Sequence, residues 1–197
     1  MTAPPDHRAA ARRPILAALA VFPLLAVLMW SMGRSPLGPD GTFGWWTSNI
    51  WGPQCSQRLA DAYAFSHIIH GMAFYGLLWI FARRLSVPVR YLIAVILEAG
   101  WELLENSPVI INRYRDATMA LGYSGDSILN STGDLLMMSL GFFLAWRLPV
   151  WLTVLAVLVM EIGCALWIRD NLTLNIIMLI HPVEAIKDWQ MAGAPAA

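Results

Sequence analysis

EAGWELLENSPVIINRYRDATMALGYSGDSILNSTGD, residues 98–134, is a polar segment set between flanks of membrane-type apolar sequence. Glu98, Glu102 and Glu105 recur at intervals of four and three, which puts three carboxylates on one face of a helix. Asp126, Asn130 and Asp134 recur at intervals of four on a second helix, with Ser127 and Ser131 flanking that face. Charged groups inside a membrane helix are costly and turn toward a bundle interior or a wet cavity. The two helices are therefore expected to bring these groups together near one face of a bilayer, with the loop between them, including Arg113 and Arg115, folding over the top.

The surrounding sequence has the same character. The 197 residues are 58% hydrophobic and only 13% charged, with a mean hydropathy of +0.57, where a soluble domain carries about 25% charged residues. The fold class is therefore read as all-α, a polytopic membrane helical bundle of five to six transmembrane helices. A formal net charge of zero gives no basic field for nucleic acid, so nucleic acid is not an expected partner. Two cysteines, Cys55 and Cys164, are too few for a disulfide framework or a thiolate metal site.

In chain order, residues 1–13 are expected as a disordered cytoplasmic lead-in, 14–190 as a single helical membrane domain, and 191–197 as a disordered tail. Residues 14–33 have the length and composition of an uncleaved first span, kinked at Pro23. A loop rich in Gly, Pro and Trp covers 34–60, with Trp45, Trp46 and Trp51 suited to a membrane interface. Further helices are expected over 62–82, 89–105, 126–146 and 149–168, with Gly71, Gly76, Gly100 and Gly141 permitting close helix contact. The segment 171–190 has an apolar core of about 11 residues interrupted by Pro182. That is short of the roughly 17 residues needed to span. It reads as an interfacial or re-entrant helix, with a short tilted sixth span as the alternative.

If five helices alternate, Arg83, Arg84, Arg90, Arg147 and the basic N-terminus share one side, which the positive-inside rule makes cytoplasmic. Arg58, Arg113, Arg115 and Arg169 oppose that bias. The expected location is a multi-pass protein of a bacterial inner membrane with a cytoplasmic N-terminus. The 34–60 loop, the 106–125 loop and the C-terminal segment then lie outside.

Depth can be counted from those external ends. Asn106 to Glu98, Asp126 to Asp134 and Arg169 to Glu161 are each eight residues, and His70 lies about as far into its own helix. At 1.5 Å per residue these groups sit roughly 12 Å below the end. The counting predicts one layer of His70, Glu98, Asp134 and Glu161, and a shallower layer of His67, Glu102, Glu105, Asp126 and Asn130.

Such a cluster suits proton relay or general acid–base work. The His67/His70 pair with facing carboxylates also has the donor types for a divalent metal. The paired arginines suit a phosphate or carboxylate headgroup. Bonding that merely holds helices together competes with all three. No nucleophile elbow, phosphate-binding glycine loop or HExxH pattern occurs, and a serine hydrolase would need Ser66, Ser127 or Ser131 beside a histidine. No catalytic residue, metal or cofactor is assigned. The expected partners are the lipid bilayer and an envelope lipid or its headgroup, with alternatives of a membrane-embedded acid–base or metal-assisted hydrolase of lipid-linked substrates and a proton-coupled transporter. The sequence sets no oligomeric state.

FSHIIHGMAFYGLLW (65–79), EAGWELLENSPVIINRYR (98–115), GYSGDSILNSTGDLL (122–136) and IRDNLTLNIIM (168–178) resemble, as a set, an uncharacterised domain-of-unknown-function family of bacterial inner-membrane proteins, mostly alphaproteobacterial. The resemblance covers about residues 45–190 and implies location and topology, with no activity to carry over. A looser likeness is to VanZ-like proteins, through the order His70, Glu102, Arg115, Asp126, Asn130, Gly133. The chain departs from that pattern in its longer 106–125 loop, its extra Asp134 and its long first external loop. That likeness implies a site meeting envelope lipid or glycan chemistry outside the membrane.

Overall fold

A computed structural model describes residues 7–120 and 122–195. Within them the chain forms eight helices and one isolated β-bridge, Trp46 with Ala60. The helices are α1 (His7–Ser31), α2 (Ala64–Phe81), α3 (Val87–Glu105), α4 (Pro108–Ala117), α5 (Ile128–Arg147), α6 (Val150–Ile168), α7 (Leu172–Ile180) and α8 (Glu184–Met191). The architecture is the all-helical bundle expected.

The boundaries follow local chemistry. Ser107, Ser127 and Asn171 each accept a first-turn N–H with their side chain and start α4, α5 and α7. Pro88 and Pro108 occupy the first turns of α3 and α4, where a missing N–H costs nothing. α5 stops at Arg147 because Leu148 precedes Pro149 and is extended. α1 begins at His7, so residues 7–13 are helical rather than a disordered lead-in; residues 1–6 lie outside the described residues. The helix runs through both Pro14 and Pro23 without a break in its assignment.

Four helices are long and apolar enough to cross a membrane: residues 11–31 of α1, and α2, α5 and α6. Their outer faces carry large exposed apolar side chains, including Leu24, Val27 and Trp30 on α1 and Trp151, Val159 and Leu166 on α6. Apolar surface of that extent is compatible with a membrane protein. α3 is 19 residues long but carries Arg90, Glu98, Glu102 and Glu105 and packs among α1, α2 and α5. α7 and α8, of nine and eight residues, are each too short to cross about 30 Å of hydrocarbon, so the sixth-span alternative is set aside.

The closest packing is between α2 and α5. A Cβ on Gly71 would overlap the Met138 carbonyl oxygen, and one on Gly141 would overlap that of Ile68. Only glycine permits such approach. Gly133 does the same toward the Leu59 carbonyl, a role its sequence context does not reveal, whereas Gly76 and Gly100 have open space and are not contact glycines. Between α1, α3 and α5 the core is Leu25, Met29, Ala94, Val95, Leu135 and Phe142.

The start of α2, the end of α3, the start of α5 and the end of α6 share one end of the bundle, and the segments 34–60, 106–125 and 169–195 gather there. The 34–60 loop is folded back onto α5. Ser127, Ile128 and Leu129 donate their backbone N–H groups to the carbonyls of Ser56, Ser35 and Pro36, so loop carbonyls satisfy the donors that a helix start leaves free. Gln57 donates its side chain to the Gly125 carbonyl and Asn130 to that of Arg58, which fixes the loop to the polar edge of α5.

Candidate functional site

The acidic spacing on α3 and α5 does converge, and α2 supplies its basic partners. His67, on α2, is buried, and its Nδ1 lies 2.6 Å from Glu98 Oε1. His70 Nδ1 lies 3.1 Å from both Glu98 oxygens. A carboxylate only accepts, so both imidazoles donate from Nδ1, which in a neutral ring leaves Nε2 as the lone-pair nitrogen. Glu98 is fully buried and gathers both histidines.

On the other side of His67, Nε2 is 3.7 Å from Asp134 Oδ1, beyond hydrogen-bond range. Glu102 Oε1 is 3.7 Å from His67 Nδ1. Glu102 is 0% exposed, and neither of its carboxylate oxygens has a hydrogen-bond partner among the described residues. The Ser131 hydroxyl is likewise buried and unpartnered among them.

Above this core a cavity of about 1080 Å³ opens toward the end where the loops gather. His67, His70, Glu105, Asp126, Asn130 and Asp134 all border it, as do apolar Ile50, Trp51, Met119 and Leu179. Among the described residues, no Lys or Arg lines it.

The remaining expected residues divide into those that build the cavity and those that lie elsewhere. Asn106 holds Asp126 reciprocally: its amide donates to Asp126 Oδ2 at 2.7 Å and its carbonyl oxygen accepts the Asp126 N–H at 2.7 Å. Tyr123 adds a hydroxyl donated to Asp126 Oδ1 at 2.9 Å. Gly125, with φ +91°, makes this approach possible, because a Cβ there would meet the Arg34 guanidinium and Asn106 Oδ1. Ser127 caps α5 and donates its hydroxyl to the Gln57 carbonyl.

Arg113 and Arg115 do not reach over the cavity as headgroup clamps. Arg113 donates to the carbonyls of Leu179 and Ile180, tying α4 to α7, and Arg115 donates to the Tyr123 carbonyl. Glu161 is also outside the cluster: it accepts the N–H groups of Leu172 and Thr173 at 3.1 Å and so caps α7. The matching depth of eight residues fails for Glu161 because α6 packs at the margin of the bundle, against α2 and α5.

Three further groups escape a reading of the sequence. Asp170 accepts from Tyr63, Asn175, Gln190 and its neighbour Asn171, drawing the start of α2, α7 and α8 into one knot. Burial pushes its carboxyl up to about 7, against the downward pull of those donors. Asp61 accepts the N–H groups of Ser56 and Tyr63, and burial raises it too. Tyr114 stands beside Glu105 at the cavity wall. The signal present is Asp170-Asn171 followed by Asn175, polar residues placed where a long apolar helix ends and a short one begins.

Residues 29–192 match the family model described as Protein of unknown function (DUF2585). A UPF0314 protein of Sphingopyxis alaskensis is 52% identical over 180 residues, covering 90% of this chain and 95% of that protein. UPF0314 proteins of Agrobacterium fabrum and Rhizobium etli are 52% and 53% identical, covering 86% and 89% of this chain and 85% and 90% of their own lengths. No solved structure matches. With a family model spanning most of its length and relatives at about half identity, the chain belongs to the DUF2585 (UPF0314) family.

Proposed function

We propose that the protein is a multi-pass protein of the bacterial inner membrane, with its N-terminus in the cytoplasm, and that its cavity takes the polar headgroup of an envelope lipid on the external side. The observation that carries this is the cavity itself. Its volume of about 1080 Å³ is at the upper end of small-molecule sites. Its border combines apolar Ile50, Trp51, Met119 and Leu179 with a polar floor of histidines and carboxylates, the division an amphiphile needs.

The cations at the two ends of the bundle are used differently. At the cavity end Arg34, Arg58, Arg113, Arg115, Arg169 and Lys187 each donate to a backbone carbonyl. At the other end Arg12, Arg13, Arg83, Arg84 and Arg147 are exposed. The VanZ-like order of residues favours the same external chemistry, with Arg115 serving the loop and not the ligand.

With carboxylates on the floor and no Lys or Arg among the described residues at the border, the headgroup is uncharged or cationic, such as a sugar or an amine, unless a cation accompanies it. The test is mass spectrometry of lipids that remain with protein purified from its own membranes. One lipid class enriched over the bulk membrane, and lost when the cavity is filled by Ala120→Trp, is the expected result. A bulk-like lipid profile unchanged by Ala120→Trp removes the headgroup reading.

A further inference from the structure

We propose that His67, Glu102 and Asp134 form a binding site for one divalent transition-metal ion at the floor of the cavity. One ligand atom from each of the three lies within 4.8 Å of the others, and all three residues are buried. The inference does not rest on the headgroup reading.

Glu102 is the decisive observation. A fully buried carboxylate with both oxygens unpartnered is among the costliest arrangements a protein interior can hold. A neutral carboxyl would donate its proton to His67 or Asp134 within hydrogen-bond range; the separation from His67 is 3.7 Å. A cation shared by Glu102 and Asp134 satisfies both.

The surroundings are those of a metal ligand. Histidines that bind metals usually donate their other ring N–H to a carboxylate, which fixes the tautomer and raises the basicity of the ligating nitrogen. His67 donates Nδ1–H to Glu98 at 2.6 Å, which in the neutral ring leaves Nε2, facing Asp134, free to ligate. The 3.7 Å from Nε2 to Asp134 Oδ1 is too long for a hydrogen bond. It approaches the roughly 3.3 Å that separates two ligand atoms, each about 2.0–2.1 Å from a tetrahedral ion.

The donor set of one imidazole and two carboxylates suits Zn²⁺, Mn²⁺ or Fe²⁺ in preference to the soft thiolate-seeking ions and to Ca²⁺. Because His67 and Asp134 border the cavity, coordination positions not taken by the protein face it. His67, His70 and Glu98 also bring three ligand atoms within 4.8 Å of one another, but there Glu98 is already engaged by both histidines, whereas Glu102 is not.

The experiment uses the full chain in nanodiscs, stripped with chelator and then given Zn²⁺, Mn²⁺ or Co²⁺ separately. Elemental analysis after desalting measures the metal retained, and the Co²⁺ form is read by its visible absorption. One equivalent of Zn²⁺ or Mn²⁺ per chain is expected, together with Co²⁺ bands of nitrogen–oxygen coordination. Glu102→Gln and Asp134→Asn should each weaken retention at least tenfold, whereas Glu161→Gln, at an acid outside the cluster, keeps the stoichiometry. Where a variant does not fold, the wild-type Co²⁺ spectrum still decides. Wild-type protein that retains less than a tenth of an equivalent of every ion overturns the proposal, as does full retention in folded Glu102→Gln and Asp134→Asn.

Discussion

His67 Nδ1 lies 2.6 Å from Glu98 Oε1, a buried pair that links α2 to α3 in the middle of the bundle. Removing the carboxylate leaves the buried imidazole N–H groups without an acceptor, at a cost of roughly 1–3 kcal/mol. Glu98→Ala should lose about that much stability in denaturant titration of the micelle-embedded protein. A loss below about 1 kcal/mol would mean that water reaches the histidines and that the core is not sealed.

The glycines of the α2–α5 seam give a graded test. Gly71→Ala and Gly141→Ala each push a methyl into a backbone carbonyl on the facing helix, and overpacking of that kind costs about 1–3 kcal/mol. Gly76→Ala and Gly100→Ala meet open space inside helices and should raise stability by about 0.5–1 kcal/mol each. Thermal melting of the four variants side by side checks the order, and equal effects at all four positions would contradict the packing described.

Asp170 makes stability depend on pH. Its carboxyl is pushed from the ordinary 3.8 up to about 7 by burial. The folded state therefore holds the proton more tightly than the unfolded chain does. The contribution is fully present below pH 3.8 and is lost as the pH rises through about 7. Wild-type protein should melt at a lower temperature at about pH 8 than at about pH 5, and Asp170→Asn should flatten that slope. An identical slope in both proteins would remove Asp170 as its source.

Asn106 holds the turn that presents Asp126 to the cavity. Asn106→Leu leaves the Asp126 N–H and one carboxylate oxygen short of a partner, each worth about 1–3 kcal/mol when buried. Hydrogen exchange should speed up across residues 123–130 in this variant while α2 stays protected. Unchanged exchange there would show that Tyr123 and the 34–60 loop hold the turn without Asn106.

The helices are legible in the sequence because their apolar runs and their Ser, Asn and Pro punctuation are local. The convergence of Glu98, Glu102, Asp126 and Asp134 is legible for a similar reason, since intervals of three and four fix a shared face. What each polar group bonds to is not legible. Arg113 and Arg115 look like headgroup ligands by residue type, yet they lie on α4 and serve carbonyls at the end of α7 and in the segment that follows α4. Glu161 matches the others in depth but stands on a peripheral helix, and depth along an axis says nothing about rotation around it. Gly133 gives no sign of its role because its neighbour, the Leu59 carbonyl, comes from a loop whose path only tertiary structure defines.

One cavity, bordered by three segments at a single end of the bundle, carries the proposed function, and its proposed place is the external side of the membrane. Thiol labelling tests this most directly. Ala120 borders the cavity and is replaced by cysteine in a Cys55→Ser, Cys164→Ala background. Cells made permeable only in their outer membrane are then treated with a membrane-impermeant maleimide. External placement of an open cavity predicts that Ala120→Cys is labelled in those cells, whereas Arg84→Cys is labelled only after the inner membrane is opened. Labelling at position 84 but not at position 120 before the inner membrane is opened would reverse the topology, and no labelling at position 120 under either condition would close the cavity.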